Sequence, residues 1–403
     1  MNHFAVFKVS FLALMLGTAI SAHSNELSLD EALSYALNHE PWLKASQYQQ
    51  ASEQAQSIAA GSLPDPVLTL GLMGVPTDGF ALDQEGMTQL SIGVSQMFSR
   101  GDSLALKQQA LAQSAQQHPW LRADRIAQVK TIVIESWLNA YRAQRSIALI
   151  EQDKALFSQL IDITESSYAS SLGKTRQQDI IRAQLELTRL EDKLVMLAQQ
   201  LESAKKRLSQ WLPMSMLTQP VSTKNTAIEP LISFTTLEFE ALMSLLMAHP
   251  AIVAIDQTVT AKQTEIALAK QSYKPQFGVN MGYSHRGDTP MGDSRADLLS
   301  VGVSIDLPLF TSNRQDQQVN AAIATAEAVK TQKLIALQKL KGMYFKEFSQ
   351  LMQLQKRDTL YQSYYRKWQS KPKPHSMHTR GTTVIFQKLC VLVLVSLMPK
   401  LTA

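Results

Sequence analysis

Leu90-Ser91-Ile92-Gly93-Val94-Ser95 and Leu299-Ser300-Val301-Gly302-Val303-Ser304 decide the fold. The two stretches lie 209 residues apart and are nearly the same sequence. At that offset Pro41 falls on Pro250 and Pro66 on Pro275, with no gap between the matches. Each half also opens with a capping-box pattern, Ser28-Leu29-Asp30-Glu31 and Thr235-Thr236-Leu237-Glu238. Self-similarity at one fixed offset reads as a tandem duplication. It divides the chain into a first repeat, 25–212, a linker, 213–235, and an incomplete second repeat, 236–365.

Each repeat is expected to run helix, two strands, long helical stretch. In the strands, apolar side chains alternate with small polar ones. Leu90, Ile92 and Val94 share one face, against Gln89, Ser91, Gly93 and Ser95. Phe277, Val279, Met281 and Tyr283 oppose Gly278, Asn280, Gly282 and Ser284; Leu299, Val301, Val303, Ile305 and Leu307 oppose Ser300, Gly302, Ser304 and Asp306. The first strand, Val67 to Met73, is weaker, with Leu68, Leu70 and Leu72 on its apolar face. Period two alone fits any half-buried sheet. A polar face of Ser, Gly and Asn rather than Lys and Glu fits a membrane β-barrel, lipid outside and water inside. The hairpin loops, about 74–87 and 285–297, are long and rich in Gly, Pro and Asp. Four strands cannot close a barrel, and an open edge in hydrocarbon is prohibitive. The chain is therefore expected to share its barrel with copies of itself. Three copies would give about twelve strands and an aqueous bore.

Most of the mass is helical. From about Leu104 to Ser170 the chain is rich in Ala, Gln, Leu and Ser, broken only near His118-Pro119. Apolar residues recur at helical spacing: Ile126, Val129, Val133, Trp137, Tyr141, Ile147, Ile150, Leu156, Leu160, Ile163. Roughly 65 helical residues would reach about 100 Å, which requires lateral packing on other long helices. The chain reverses near Ser171-Leu172-Gly173-Lys174 and returns from Thr175 to Trp211.

Composition closes off other classes. The 403 residues are 45% apolar and 18% charged, so the chain is not disordered. Mean hydropathy is −0.10, and uninterrupted apolar runs lie only at the two ends, which excludes a polytopic helical membrane protein. Of 39 basic residues, seven fall in 366–403 with no acid among them; the remaining 32 face 34 acids, a net of −2. Positive charge confined to a tail of foreign composition does not describe a nucleic-acid binder. The single cysteine, Cys390, excludes a disulfide framework and a thiolate cluster. Residues 1–24 read as a secretory signal: Lys8, an apolar Val9 to Ile20, and small residues at Ser21-Ala22-His23-Ser24. No cysteine follows the apolar stretch, so no lipid anchor is expected.

The residues resemble the TolC-like outer-membrane efflux protein family. The resemblance rests on Leu27-Ser28-Leu29-Asp30-Glu31-Ala32-Leu33 with Asn38 to Pro41, the duplicated strand pairs, and the turn Tyr168-Ala169-Ser170-Ser171-Leu172-Gly173-Lys174. Gln177-Gln178-Asp179 and Arg182-Ala183-Gln184-Leu185-Glu186-Leu187 fit as well, so it covers about residues 27–365. Leu63-Pro64-Asp65-Pro66, Gly74-Val75-Pro76 and Met87-Thr88-Gln89 are similar to the heavy-metal (CzcC/CusC-like) branch. The resemblance implies a mainly α fold with a small antiparallel β part. Four strands per chain would build a trimeric 12-stranded β-barrel, continued by a long α-helical periplasmic tunnel. It implies an outer-membrane channel of a tripartite RND-type efflux system, conducting heavy-metal cations passively, with a homotrimer, a periplasmic adaptor, an inner-membrane transporter and outer-membrane lipid as partners. The exit duct of a drug pump or of type I protein secretion, or a non-pore periplasmic coiled-coil adaptor, are the alternatives. By the same carry-over, Leu172, Gly173 and Lys174 would contact the adaptor at the helical tip. A glycine at a helix reversal also needs no function, since positive φ is cheap there. Gln178 and Asp179 are candidates to line the entrance, where a carboxylate ring favours cations; a solvated helix face is the plainer reading.

No enzymatic chemistry or cofactor is expected. Gly173-Lys174-Thr175 lacks the glycine that a phosphate loop needs five positions earlier, where Tyr168 stands. The histidines show no zinc spacing. Met73, Met243, Met247 and Met281 lie on apolar faces, where packing is the commoner role. The tail from 366 departs from the family: Lys371-Pro372-Lys373-Pro374 replaces the expected second helix reversal, and periodicity stops. The expectation is a frameshift or truncation of the last helix. Nucleotide sequencing should find a helical, acid-containing reading in another frame, and an intact frame would refute this.

Overall fold

The computed structural model describes residues 26–169, 176–222, 238–289 and 291–369. In chain order these form α1 (Leu29–Asn38), α2 (Pro41–Ala60), β1 (Val67–Met73), β2 (Gln89–Phe98), α3 (Ser103–Ala115), α4 (Gln117–Ala169), α5 (Gln177–Leu208), the short α6 (Met214–Leu217), α7 (Phe239–Met247), α8 (Pro250–Lys270), a 3₁₀ turn (Gln271–Tyr273), β3 (Gln276–His285), β4 (Leu298–Asp306) and α9 (Gln315–Gln369). The starts of α2 and α8, of β1 and β3, and of β2 and β4 are each separated by 209 residues. The expected signal segment, the reversal at 170–175, Thr235 and the tail beyond 369 lie outside the described residues.

Two compact units cut across the sequence halves. One holds 26–36, 133–169 and 176–222; the other holds 37–132 and 238–369; the boundary falls inside α4.

In the first unit the segment before α1 is stapled to the segment after α6. Leu27 and Val221 form a parallel bridge, and both are fully buried. Leu27 N–H donates to the Pro220 carbonyl at 2.8 Å, and Ser222 N–H to the Leu27 carbonyl at 3.0 Å. Trp137 donates its indole N–H to that same carbonyl at 3.1 Å. The Gln144 amide clasps both backbone groups of Val221 at 2.8 Å. Ser28 accepts from Glu31 N–H at 3.2 Å, one arm of the expected capping box.

Along α4 the buried positions Val129, Val133, Ser136, Ala140, Ala143, Ile150, Ile161 and Thr164 follow a four-three spacing, with Trp137 and Ser146 buried beside that row. On α5 the same spacing joins Ala183, Leu190, Ala204 and Leu208. Ile150 packs with Leu190, Leu187, Leu194 and Leu197, and Ile161 with Ala183. This is a coiled-coil seam of period 3.5, not the 3.6 of an isolated helix. Ile163, counted in the predicted stripe, is 65% exposed, because its spacing from Ile150 puts it on another side of the helix.

The second unit packs helices through buried polar pairs. Ser57 donates to the Gln108 carbonyl at 2.8 Å, joining α2 to α3. Thr264 and Thr258 of α8 bond Gln113 at 2.6 Å and Gln117 at 3.1 Å. His118, 5% exposed, lies 3.2 Å from Glu53 and 3.4 Å from Ser46, while Arg125 holds Glu40 at 2.9 Å. Leu242, Leu246 and Ile252 are buried against Leu337 of α9. Among the described residues no single helix is long and apolar enough to cross a membrane. The bent pair α7–α8 passes that test jointly, yet the cluster with Leu337 buries its key leucines and Ile252. Beyond Leu340, α9 buries none of its described side chains, and Met343, Phe345, Leu354, Leu360 and Tyr364 are exposed.

Trp137→Ala should cost the first unit about 3–5 kcal/mol, because it opens a cavity and strips the Leu27 carbonyl of a donor. Denaturant unfolding followed by helical circular dichroism would measure it, and a change under about 1 kcal/mol would remove Trp137 from the centre of this packing.

Candidate functional site

The four strands form one antiparallel sheet in the order β1-β2-β3-β4. The register places like with like across all four. Leu70, Ile92, Tyr283 and Leu299 form one row, and Leu68, Val94, Met281 and Val301 another. On the opposite face Thr69, Gly93, Gly282 and Ser300 form a row, as do Val67, Ser95, Asn280 and Gly302. The apolar face is bare: Leu70 is 71% exposed, Val301 65% and Met281 56%. An apolar patch of this size in water would drive association or insertion.

The middle of the other face is built from short side chains that turn back on the sheet, with Met73, Met97 and Leu298 toward its ends. Ser91 donates to the Gly71 carbonyl at 3.0 Å and Ser300 to that of Gly282 at 3.2 Å. At Gly302 an added Cβ would come 2.3 Å from the Asn280 amide oxygen, and at Gly278 2.5 Å from the Ser304 hydroxyl. Glycine here makes room for the neighbouring polar side chain. The strands carry one carboxylate, Asp306, and one histidine, His285, both at strand ends. The outer strands β1 and β4 each pair on one side only. The alternation read from the sequence is present in the strands, including the bounds of β1.

Below the strands an ion network ties the turn after β2 to the approach to β3. Arg100 pairs with Asp306 and donates to the Lys274 carbonyl at 2.6 Å. Lys274 pairs with Asp102 at 3.0 Å, and Asp102 N–H reaches Gln271 at 3.2 Å. Gly101 adopts φ +44° where Lys274 crosses it. Tyr273 donates to Asp316 at 2.6 Å, a bond that raises the phenol above its ordinary pKa. Sequence reasoning missed this network; its signal was a lone carboxylate ending an otherwise acid-free strand set. At the opposite end, Arg295 of one loop donates to the Glu85 carbonyl of the other at 3.1 Å, and Thr88 closes on the Gly74 carbonyl at 2.6 Å.

Of the residues expected at the helical tip, Leu172, Gly173 and Lys174 lie outside the described residues. Gln178 is exposed, whereas Asp179 is 5% exposed. Its carboxylate accepts from Arg176 N–H at 3.1 Å, reaching back over the start of α5. It thus satisfies one of the orphan amides at a helix start, where a negative charge also complements the helix dipole. Among the described residues no group of three or more His, Cys, Asp or Glu is placed to hold a metal ion. Asp179→Ala should loosen the start of α5 by about 0.5–2 kcal/mol. Hydrogen exchange would show faster amides at Arg176 to Ile180; unchanged protection would deny the carboxylate its capping role.

No family profile matches the sequence. No curated protein matches it either. Solved structures do. A membrane protein from Pseudomonas aeruginosa is 14% identical, with 93% of this chain and 89% of that one covered at TM-score 0.70. CusC, described as forming a transmembrane channel, is 12% identical over 94% and 90%, with TM-score 0.66. The outer-membrane protein VceC of Vibrio cholerae is 15% identical over 93% and 91%, with TM-score 0.64. A ribbon bare on one face, long heptad-seamed helices and this similarity together give the chain the TolC-like channel fold, mainly α with a four-stranded antiparallel sheet.

Proposed function

We propose that this chain is the outer-membrane channel subunit of a tripartite efflux system, extending into the periplasm and working as a passive duct. The observation that carries the reading is the ribbon: two repeats present bare apolar side chains on one face and mostly short polar ones on the other. That asymmetry suits lipid against a water-filled bore. The two free edges support closure by further copies, three of which give about twelve strands. A secretory signal at 1–24, the tandem division of the chain, a periplasmic adaptor meeting Leu172, Gly173 and Lys174, an RND-type transporter, and Gln178 and Asp179 near the entrance belong to the same reading.

Heavy-metal cations are the proposed cargo, supported by the likeness of Leu63-Pro64-Asp65-Pro66 to that branch. The scarcity of charge on the strands favours a second cargo reading, a drug or a secreted protein, because such a bore discriminates little by charge.

Outer-membrane fractions should contain heat-dissociable oligomers of this chain, and the purified oligomer should conduct in planar bilayers. A water-soluble monomer with no conductance would end the channel reading. A deletion strain should lose tolerance to at least one of copper, silver, cobalt, zinc and cadmium. Unchanged tolerance to all five would remove the metal cargo and leave the duct.

A further inference from the structure

A duct without chemistry of its own still presents charge to whatever passes, and the strand register fixes where that charge stands. On the polar face, Gly71, Ser91, Ser284 and Leu298 form the outermost complete row. One step further from the helices Met73 faces Gln89, and the same registers bring Arg286 beside Gln89 and Ala296 beside Arg286. The Arg286 side chain keeps to this row: its Nε and Nη2 donate to the Ala296 carbonyl at 2.9 and 2.6 Å. Arg286 therefore ends the polar face at the edge remote from the helices.

The rest of that face holds almost no net charge. The four strands contain one Asp, Glu, Lys or Arg, which is Asp306 at the opposite end, and Arg100 pairs with it. Arg286 is not neutralised in this way. Among the described residues its guanidinium bonds a carbonyl, and Asp297 takes only its backbone N–H, at 3.3 Å. The Asp297 carboxylate also accepts from Tyr283 and lies 2.9 Å from His285 Nδ1. Tyr283 and His285 occupy the apolar face, so this carboxylate serves the other side of the sheet. Asp78, Asp83, Glu85, Asp288, Asp293 and Arg295 stand on the two loops, beyond the last row.

One uncompensated guanidinium per chain becomes a ring when copies close the barrel. Twelve strands about 4.8 Å apart and tilted about 40° stand about 12 Å from the barrel axis. Three unit charges at about 12 Å in water raise the anion-to-cation ratio on the axis about tenfold at 0.01 M salt, about threefold at 0.1 M and negligibly at 1 M. The carbonyl clasp holds each guanidinium at the rim, where a free arginine would sweep through solvent.

We infer that Arg286 sets the ion preference of the bore: its copies form a guanidinium ring at the outer rim that concentrates small anions and thins cations. The inference rests on the channel reading with three chains and gives that channel the selectivity of its exit. A free metal cation would leave against the ring, so the inference weighs toward the second cargo reading.

The test measures reversal potentials of the purified full-length oligomer in planar bilayers, with potassium chloride at 0.1 M on one side and 0.01 M on the other. Arg286→Gln should lower the anion-to-cation permeability ratio at least about threefold, and the difference should vanish at 1 M salt. Arg286→Lys should keep the original ratio, because it keeps the charge while losing the two-nitrogen clasp on Ala296. A conducting Arg286→Gln oligomer with an unchanged ratio would overturn the inference and leave the channel reading standing. So would an Arg286→Lys oligomer that behaves like Arg286→Gln, since the clasp rather than the charge would then matter. A ratio that moves with Asp288→Asn and Asp293→Asn but not with Arg286→Gln would hand the rim to the loop carboxylates. If the unaltered oligomer does not conduct at all, the channel reading falls and takes this inference with it.

Discussion

A short antiparallel ribbon with one bare apolar face and two open edges has no stable environment alone. In water the apolar rows Leu70–Ile92–Tyr283–Leu299 and Leu68–Val94–Met281–Val301 are exposed. In hydrocarbon the unpaired N–H and C=O groups along β1 and β4 each cost several kcal/mol. Only closure with more strands removes both penalties. On the channel reading proposed here, helices that carry such a ribbon bring several copies to the same circle.

The helices meet that demand with two kinds of packing. The α4–α5 hairpin uses a period of 3.5, which keeps one seam facing its partner along the hairpin's length. The helices of the second unit interlock through Ser57, Thr258, Thr264 and His118, whose hydrogen bonds are directional where leucine packing is not. Where the strands give way to helices, charge joins packing: Arg100, Lys274, Asp102 and Asp306 tie the turn after β2 to the approach to β3 and the end of β4. A glycine at φ +44° makes the crossing of Lys274 feasible.

Much of this was legible residue by residue. The alternation in Leu90 to Ser95 and its copy named both faces of the sheet, because period two is a local property of extended backbone. The break at His118-Pro119 marked the start of α4, since proline is tolerated in a first helical turn and not within a helix. The stripe on α4 was legible as far as Ile150 and then failed at Ile163, an apolar residue whose spacing from Ile150 puts it on another side of the helix. Asp179 was legible as a carboxylate near a reversal. Its capping of Arg176 depends on where α5 begins, which composition does not define.

The sequence by itself determined the duplication, the strand faces and the existence of long helices, since repeats and periodicities are written along the chain. The tertiary structure alone decided that compact units cross the repeats, that the seam on α4 passes through Ser136 and Ala140, and that Arg100 meets Asp306 over 200 residues away. Those outcomes turn on which surfaces of distant elements meet, and the free energy of a contact exists only once both partners are in place.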